Sequence, residues 1–410
     1  MHNFLPNGSS LLAGQNKRMN KERNMWKVKY AAVLLVLPIL LCSCAKKEVG
    51  ERVLDVEGIS WPIFRGDSSL SGIAEDNVPD KLSLLWSFNT ESYIISSPVI
   101  GSGRVYIGST DGKVYALNLL DGREVWAFDT EDDIEASPLL LDDAVYIGNL
   151  SGEFFCLDAL SGQERWRYKC GSSIYGSANW VKSPNSEKAW ILVGSYDNRM
   201  YCFDAHAGEL KWVYETDNFI NGAPSTDGTH VIFGGCDEIL HIVSVSDGTK
   251  TGEVWAGSYI PGSAALIDNI AYLGHYDNKL VAIDLIEKKI VWEYQDKEHP
   301  GPFFSSPAVT KDRVVIGSRD GYMHCVGRER GEKIWDFQTF DEIDASPVIA
   351  GDKVIFGSID GRLYIVNLKD GKKIWSYEIG AAIIGCPAVA GGLIVIGSED
   401  GRVYAFGEKS

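Results

Sequence analysis

From residue 80 onward the chain repeats itself eight times, and no other feature narrows its possible folds so far. The unit is typified by Ser97-Pro98-Val-Ile, Arg104-Val-Tyr-Ile-Gly-Ser, Asp111-Gly112, Lys113-Val-Tyr-Ala-Leu-Asn, Asp121-Gly122 and Val125-Trp126. Each apolar run has strand length and is rich in β-branched and aromatic residues, and each boundary is a turn dipeptide. The central turn recurs at Asp111, Ser151, Asp197, Asp237, Asp277, Asp320, Asp360 and Asp400. The tryptophan recurs at Trp86, Trp126, Trp166, Trp212, Trp255, Trp292, Trp335 and Trp375. Spacings of 37 to 46 residues, with about four strands per unit, are those of propeller blades. The expected fold is all-β: an eight-bladed β-propeller of four-stranded blades.

The phase of the repeat says how the ring closes. Trp86 arrives with no strands before it, while the last unit, Cys386 to Phe406, stops before its tryptophan strand. Each end supplies what the other lacks. Leu82–Asn89 is therefore expected to be the outer strand of the eighth blade, which leaves no open edge at the junction. One tryptophan per blade at a fixed place is expected to bridge neighbouring blades. A Trp buries roughly 150–250 Å² of largely apolar surface, so all eight are assigned a structural role.

The expected organisation is a signal peptide over residues 1–43, a linker over 44–60, an N-terminal segment over 61–81 and the propeller over 82–410. A basic stretch ending at Lys29 precedes the apolar run Ala31 to Leu41, which suits a secretory signal and is too short to span a bilayer. Leu41-Cys42-Ser43-Cys44 then resembles a bacterial lipobox, with Cys44 as the lipidated first residue of the mature chain. Initiation at Met19 or Met25 would give a more usual signal length. The formal charge is −17, and removing residues 1–43 leaves 33 basic and 55 acidic residues, or −22. That surface repels phosphate backbones and anionic headgroups, so nucleic-acid binding is not expected and membrane attachment falls to the lipid. A monomeric ring anchored to the outer membrane on its periplasmic side is the expectation.

The segment Ala116-Leu-Asn118-Leu-Leu-Asp121-Gly122-Arg-Glu-Val-Trp126, with its repeats ending at Trp166, Trp212 and Trp375, resembles the tryptophan-docking motif of pyrroloquinoline-quinone (PQQ) repeat propellers. The preface Trp61-Pro62-Ile63-Phe64-Arg65-Gly66-Asp67 is similar to the opening of many members. The resemblance implies the fold. For function it implies two classes, because the superfamily holds quinoprotein dehydrogenases as well as noncatalytic lipoproteins of outer-membrane barrel assembly. The leading expectation is a noncatalytic lipid-anchored scaffold whose partner is a protein, such as a barrel-assembly component, with no cofactor. The alternatives are an oxidoreductase using PQQ and calcium, and a sensor whose funnel binds a small molecule or polysaccharide.

Chain reversal puts the central turns and the connections entering each blade on one face. Those connections place a variable residue before two small ones: Ile95, Glu135, Tyr175, Asn221, Pro261, Phe304, Asp344 and Ile384. Small residues suit a crowded axis, and the variable residues should ring a funnel mouth. Glu135, Tyr175, Asn221, Phe304 and Asp344 are the candidate partner-binding residues. Glu135, Asn221 and Asp344 are also the candidate cation donors of the quinoprotein reading, because quinoproteins use these residue types around calcium. That reading lacks the family's adjacent cysteines and has no room for a cap, since six of seven central-turn intervals are 40 or 43 residues. Cys156, Cys202 and Cys325 occupy the slot of Ala116, Ala282 and Ala405, as small buried hydrophobes would. Without a Cys-x-x-Cys pair, zinc or a disulfide framework is not expected, although an exported chain could pair Cys170. His241 and His324 fall where other repeats carry Tyr115, Tyr201, Tyr364 and Tyr404, which suggests packing rather than catalysis. No catalytic residue is assigned. The lipobox yields the first test: Cys44→Ser should abolish acyl labelling and release the protein from membranes, whereas Cys42→Ser should do neither.

Overall fold

The computed structural model describes residues 58–409; Cys44, the signal peptide and most of the linker lie outside them. Among the described residues all secondary structure is β, arranged as eight sheets of four antiparallel strands around an axis, one of which gains a short parallel strand. Blade one runs outward as Val99–Gly101, Arg104–Gly108, Lys113–Asn118 and Glu124–Asp129. Blades two to seven repeat this order, and blade eight takes Ala388–Ala390, Leu393–Ser398 and Arg402–Gly407 from one end of the repeat array. Its outer strand is Ser83–Asn89, in register from Ser83↔Gly407 to Asn89↔Arg402. The ring is thus closed by the expected N-terminal strand.

Seven tryptophans occupy one place in the register, opposite Ala405, Ala116, Cys156, Cys202, Ala282, Cys325 and Ile365. Six of them dock on the next blade. Trp86 donates from Nε1 to Leu119 O at 2.9 Å and covers Gly122, where an added Cβ would lie 2.4 Å from the indole. Gly122 also has φ +69°, so the turn requires glycine for both conformation and space. Trp126 repeats this on Gly162 and Trp335 on Gly371. Trp375 has no such turn to meet, because blade eight receives its outer strand from elsewhere; it packs on Phe406 at 5.7 Å.

Trp255 is a correction to the sequence reading. It pairs with Ile239 at the strand end, stands 64% exposed and donates to Glu238 Oε2 at 3.1 Å. The docking slot of blade four, opposite Ile242, belongs to Gly252. Across from it, the turn position that is glycine in other blades is Lys288, with φ +53°. Its alkyl stem fills the missing indole's place, 2.8 Å from where a Cβ on Gly252 would sit, and its Nζ donates to Thr251 O at 2.6 Å. Two departures from the repeat thus compensate each other.

The inner edge of each blade would expose unpaired N–H groups to the axis. The segment from Trp61 to Asp76 meets the blades in chain order. Ile100 N–H donates to Trp61 O at 2.8 Å, Leu140 to Pro62 O at 2.7 Å and Thr226 to Ser68 O at 3.0 Å. Leu266, Val309 and Ile349 follow onto Ser69, Ser71 and Gly72, and Ile73–Ala74 pairs parallel with the inner strand of blade seven. Asn179 Nδ2 binds Ser68 O in blade three, and Gly391 N–H reaches Asp76 in blade eight. From this belt Arg65 projects, fully buried, to donate to the carbonyls of Pro307 and Pro347 and to Cys386 Sγ. Burial pulls its pKa down from the ordinary guanidinium value.

Toward the funnel a belt of serines ties the blades together at six of the eight junctions, a backbone N–H donating to the next blade's hydroxyl; Ala223 and Cys386 offer none. Ser97 N–H binds Ser137 Oγ at 2.9 Å, and Cys386 N–H joins blade eight to blade one at Ser97 Oγ, 2.8 Å away. The small residues before the serines are required by space, since a Cβ on Gly222 would lie 2.6 Å from Gly262 O. The six cysteines among the described residues, Cys170 included, are free thiols.

The register generates a stability test. Trp86→Ala should cost about 3–5 kcal/mol and Trp255→Ala no more than ~0.5 kcal/mol in denaturant melting. Gly252→Trp alone should destabilise by about 1–3 kcal/mol through overpacking against Lys288, and adding Lys288→Gly should restore the parent stability or exceed it.

Candidate functional site

On the funnel face the side chains form rings. The innermost is the expected rim, Ile95 through Ile384, every member of it half-buried. Outside it stand the second residues of the central turns, among them Leu150, Tyr196, Cys236, Tyr276 and Arg319. Each of their N–H groups donates to the connection entering its own blade, as Tyr196 does to Ser173 O at 2.9 Å and Arg319 to Pro302 O at 3.0 Å. Two of these turn side chains, Tyr196 and Arg319, reach both the rim residue of their own blade and that of the next.

In six of the eight turns the Asp is held from below. Tyr115 OH donates to Asp111 at 2.8 Å, and Tyr201 to Asp197 at 2.6 Å. His241 and His324 take the same place, with Nε2 at 2.7 Å from Asp237 and 2.9 Å from Asp320, and Nδ1 beside the hydroxyls of Tyr214 and Tyr294. Both histidines are buried in these contacts beneath the face.

Blades three to six carry an aromatic arc. Tyr196 lies 4.4 Å from Tyr175 and stacks on Phe219 at 4.7 Å with 3° between the planes. Its hydroxyl donates to Asn221 Oδ1 at 2.9 Å, and Asn221 Nδ2 donates to Ile260 O at 2.9 Å. Farther round, Tyr276 meets Phe304 edge-on at 5.0 Å. The Arg319 guanidinium lies 3.4 Å above the Phe304 ring centroid and binds Asp344 through two bonds of 2.8 and 2.7 Å. Phe219, Tyr259 and Tyr276 are 43%, 47% and 49% exposed.

The five rim candidates consequently differ in state. Asn221 is engaged at both ends of its amide, and Phe304 and Asp344 are occupied by Arg319. Tyr175 is half-buried against Tyr196. Glu135 is half-buried with no hydrogen-bond or ion-pair partner among the described residues, and burial, then the nearby Asp133 charge, push its pKa up. Among the described residues no three His, Cys, Asp or Glu side chains gather as a metal cage. With Asn221 and Asp344 already bonded within the protein, this donor set does not fit a resident calcium ion.

The family described as outer membrane protein assembly factor BamB matches residues 83–250 and 177–410. The chain belongs to the BamB family of PQQ-like repeat propellers. BamB from Moraxella catarrhalis is 22% identical, with a TM-score of 0.67 over 80% of this chain and 98% of that one. The computationally designed Ika8 protein is 17% identical, with a TM-score of 0.69 over 79% and 99%. A quinohemoprotein alcohol dehydrogenase from Comamonas testosteroni is 15% identical, with a TM-score of 0.70 over 86% and 81%. No curated protein sequence matches the chain. A BamB, a designed ring and a dehydrogenase superpose about equally well, so these structural likenesses establish the fold alone.

Arg319, Tyr196 and Tyr276 were not singled out from the sequence. The signal was available, because the residue before the Asp of the central turn varies as freely as the rim does. The offset of Trp255 was also legible, since its tryptophan spacings are 43 and then 37 residues where a slot at residue 252 gives 40 and 40.

Glu135 yields a pH test. A carboxyl whose pKa is raised by folding favours the native state while protonated, and that preference is lost as pH rises through its folded pKa. Glu135→Gln should therefore raise the melting temperature at pH 7, by the order of 1 °C. The difference should vanish below the ordinary carboxylate range, as read by melting curves across pH.

Proposed function

We propose that this BamB-family protein is a noncatalytic scaffold, lipid-anchored through Cys44 on the periplasmic side of the outer membrane. Its funnel face docks a protein partner during outer-membrane protein assembly. The observation that carries this reading is the aromatic arc over blades three to six. Phe219, Tyr259 and Tyr276 hold large apolar surfaces in solvent on the one face where side chains escape the repeat. Aromatic anchors within a polar rim are the usual source of affinity at protein contacts, and the surrounding carboxylates favour a basic partner and speed encounter. The outer wall offers less, because most of its tryptophans are docked on the neighbouring blade.

The approach of the chain supports the same orientation. Ile59 packs beside Gly391, and Asp76 binds the same glycine, in a hairpin at the end of blade eight away from the funnel. A tether entering there leaves the funnel free for a partner.

Site-specific photocrosslinking in native membranes tests the reading. Probes at Glu135, Tyr175 and Asp344 should trap a barrel-assembly component, and probes at Lys211 and Lys373 on the outer strands should not. Tyr175→Ala with Phe219→Ala should weaken capture with little change in melting temperature. Crosslinks confined to Lys211 and Lys373 would refute docking on the funnel.

A further inference from the structure

Two of the eight central turns carry a side chain that bridges neighbouring rim residues, and blade two has rim groups suited to such a bridge without a turn side chain able to make it. Tyr196 meets the rim residue of its own blade, Tyr175, at 4.4 Å with the rings tilted by 41°, and hydrogen-bonds that of the next, Asn221. Arg319 does the same with Phe304 and Asp344, joining an aromatic face to a carboxylate through one guanidinium. In blade two the flanking rim residues are again a carboxylate and an aromatic ring, Glu135 and Tyr175, in the opposite order. The turn residue of that blade is Leu150, whose N–H binds Asp133 O at 2.9 Å and whose side chain offers Glu135 no donor. Glu135 is left half-buried without a cation, next to Asp133 and within electrostatic reach of Tyr175 and Tyr196.

We propose that the Glu135–Tyr175 position of the funnel rim is a binding site for an arginine side chain presented by the docked protein partner. The inference rests on the funnel-docking reading above and specifies the chemistry of its contact. Arg319 supplies the template within the same molecule. A planar guanidinium can stack on an aromatic face while donating two parallel bonds to a carboxylate, which the point charge of a lysine ammonium cannot reproduce. The charge is complementary on both scales, because the carboxylate is unpaired locally and the face belongs to an acidic molecule. Entry of a guanidinium would satisfy a carboxylate that burial otherwise disfavours, so the site discriminates between charged and neutral isosteres more than it adds apolar contact.

The test uses the full-length protein in detergent and blocked peptides that carry one photoreactive group and one central residue: arginine, lysine or citrulline. Mass spectrometry should locate arginine-peptide crosslinks at Tyr175 and Tyr196, with a yield about five- to tenfold above the citrulline peptide and lysine in between. Glu135→Gln should reduce the arginine yield to the citrulline level without unfolding the protein. A second variant tests the geometry from inside: Leu150→Arg should occupy the site, raise the melting temperature only while Glu135 is present, and block labelling by the arginine peptide. Equal yields from arginine and citrulline peptides, or arginine labelling insensitive to Glu135→Gln, would overturn the site. Native-partner crosslinks at Tyr175 that persist unchanged in Glu135→Gln would remove the arginine site while leaving funnel docking intact. Loss of all funnel crosslinks in the parent protein would remove both.

Discussion

Everything in this ring depends on how the inner strands dispose of their free edges. Eight sheets converging on an axis bring eight rows of N–H groups together where there is little room for water, and a buried unpaired N–H costs on the order of 1–3 kcal/mol. The segment from Trp61 to Asp76 answers that demand blade by blade, with carbonyls for six of them and a side-chain bond for each of the other two. It also accounts for the buried charge. Arg65 is tolerated without a carboxylate because Pro307 and Pro347 offer carbonyls that no strand uses. The segment continues into Ser83–Asn89, so one stretch of chain closes the axis and then the circumference.

The architecture was legible because the repeat is regular where physics allows no alternative. Tryptophan over glycine, with Ala or Cys across the strand, is a volume constraint repeated at six of the eight junctions, and strand lengths and turns follow from it. The closing strand was legible from phase alone. The inner path of residues 61–76 was not, since no periodicity marks a segment whose register is set by eight different blades at once. Trp255 misled for a related reason: identity was read where register mattered. The docking slot is defined by the residue across the strand, and Ile242 faces Gly252.

Of the site, the rim residues could be placed but their states could not. Position follows from topology, because the residue preceding the small pair must face the funnel. State depends on long-range neighbours. Phe304 and Asp344 face the funnel as candidates for partner binding, and both belong to a cluster organised by Arg319 from the central turn of blade six. Asn221 likewise is fixed between Tyr196 and Ile260. The turn ring thus decides which rim groups remain available, and Glu135 is the rim carboxylate it leaves without a partner.

Departures from the repeat sort themselves by whether they are answered. Gly252 loses an indole and Lys288 supplies a side chain in its place. Ser151 loses the turn carboxylate, and the hydroxyl that would bind it is lost too, at Phe155; where Val281 lacks that hydroxyl, Asp277 is left exposed to water. Cys386 opens a gap in the serine belt, and Arg65 reaches across to its sulfur. The Gly252–Lys288 and Ser151–Phe155 changes keep local bonding closed and are explained by stability, while Arg65 Nε stays buried without a partner. Glu135 is a departure without an answer among the described residues: a carboxylate held half-buried beside aromatic rings, with a leucine where a donor would close the contact. A protein gains nothing in stability from that arrangement, since burial disfavours the charge and Asp133 adds to the cost. Such a group is retained at the expense of the isolated fold, and the physical account that balances it is a cation arriving from outside.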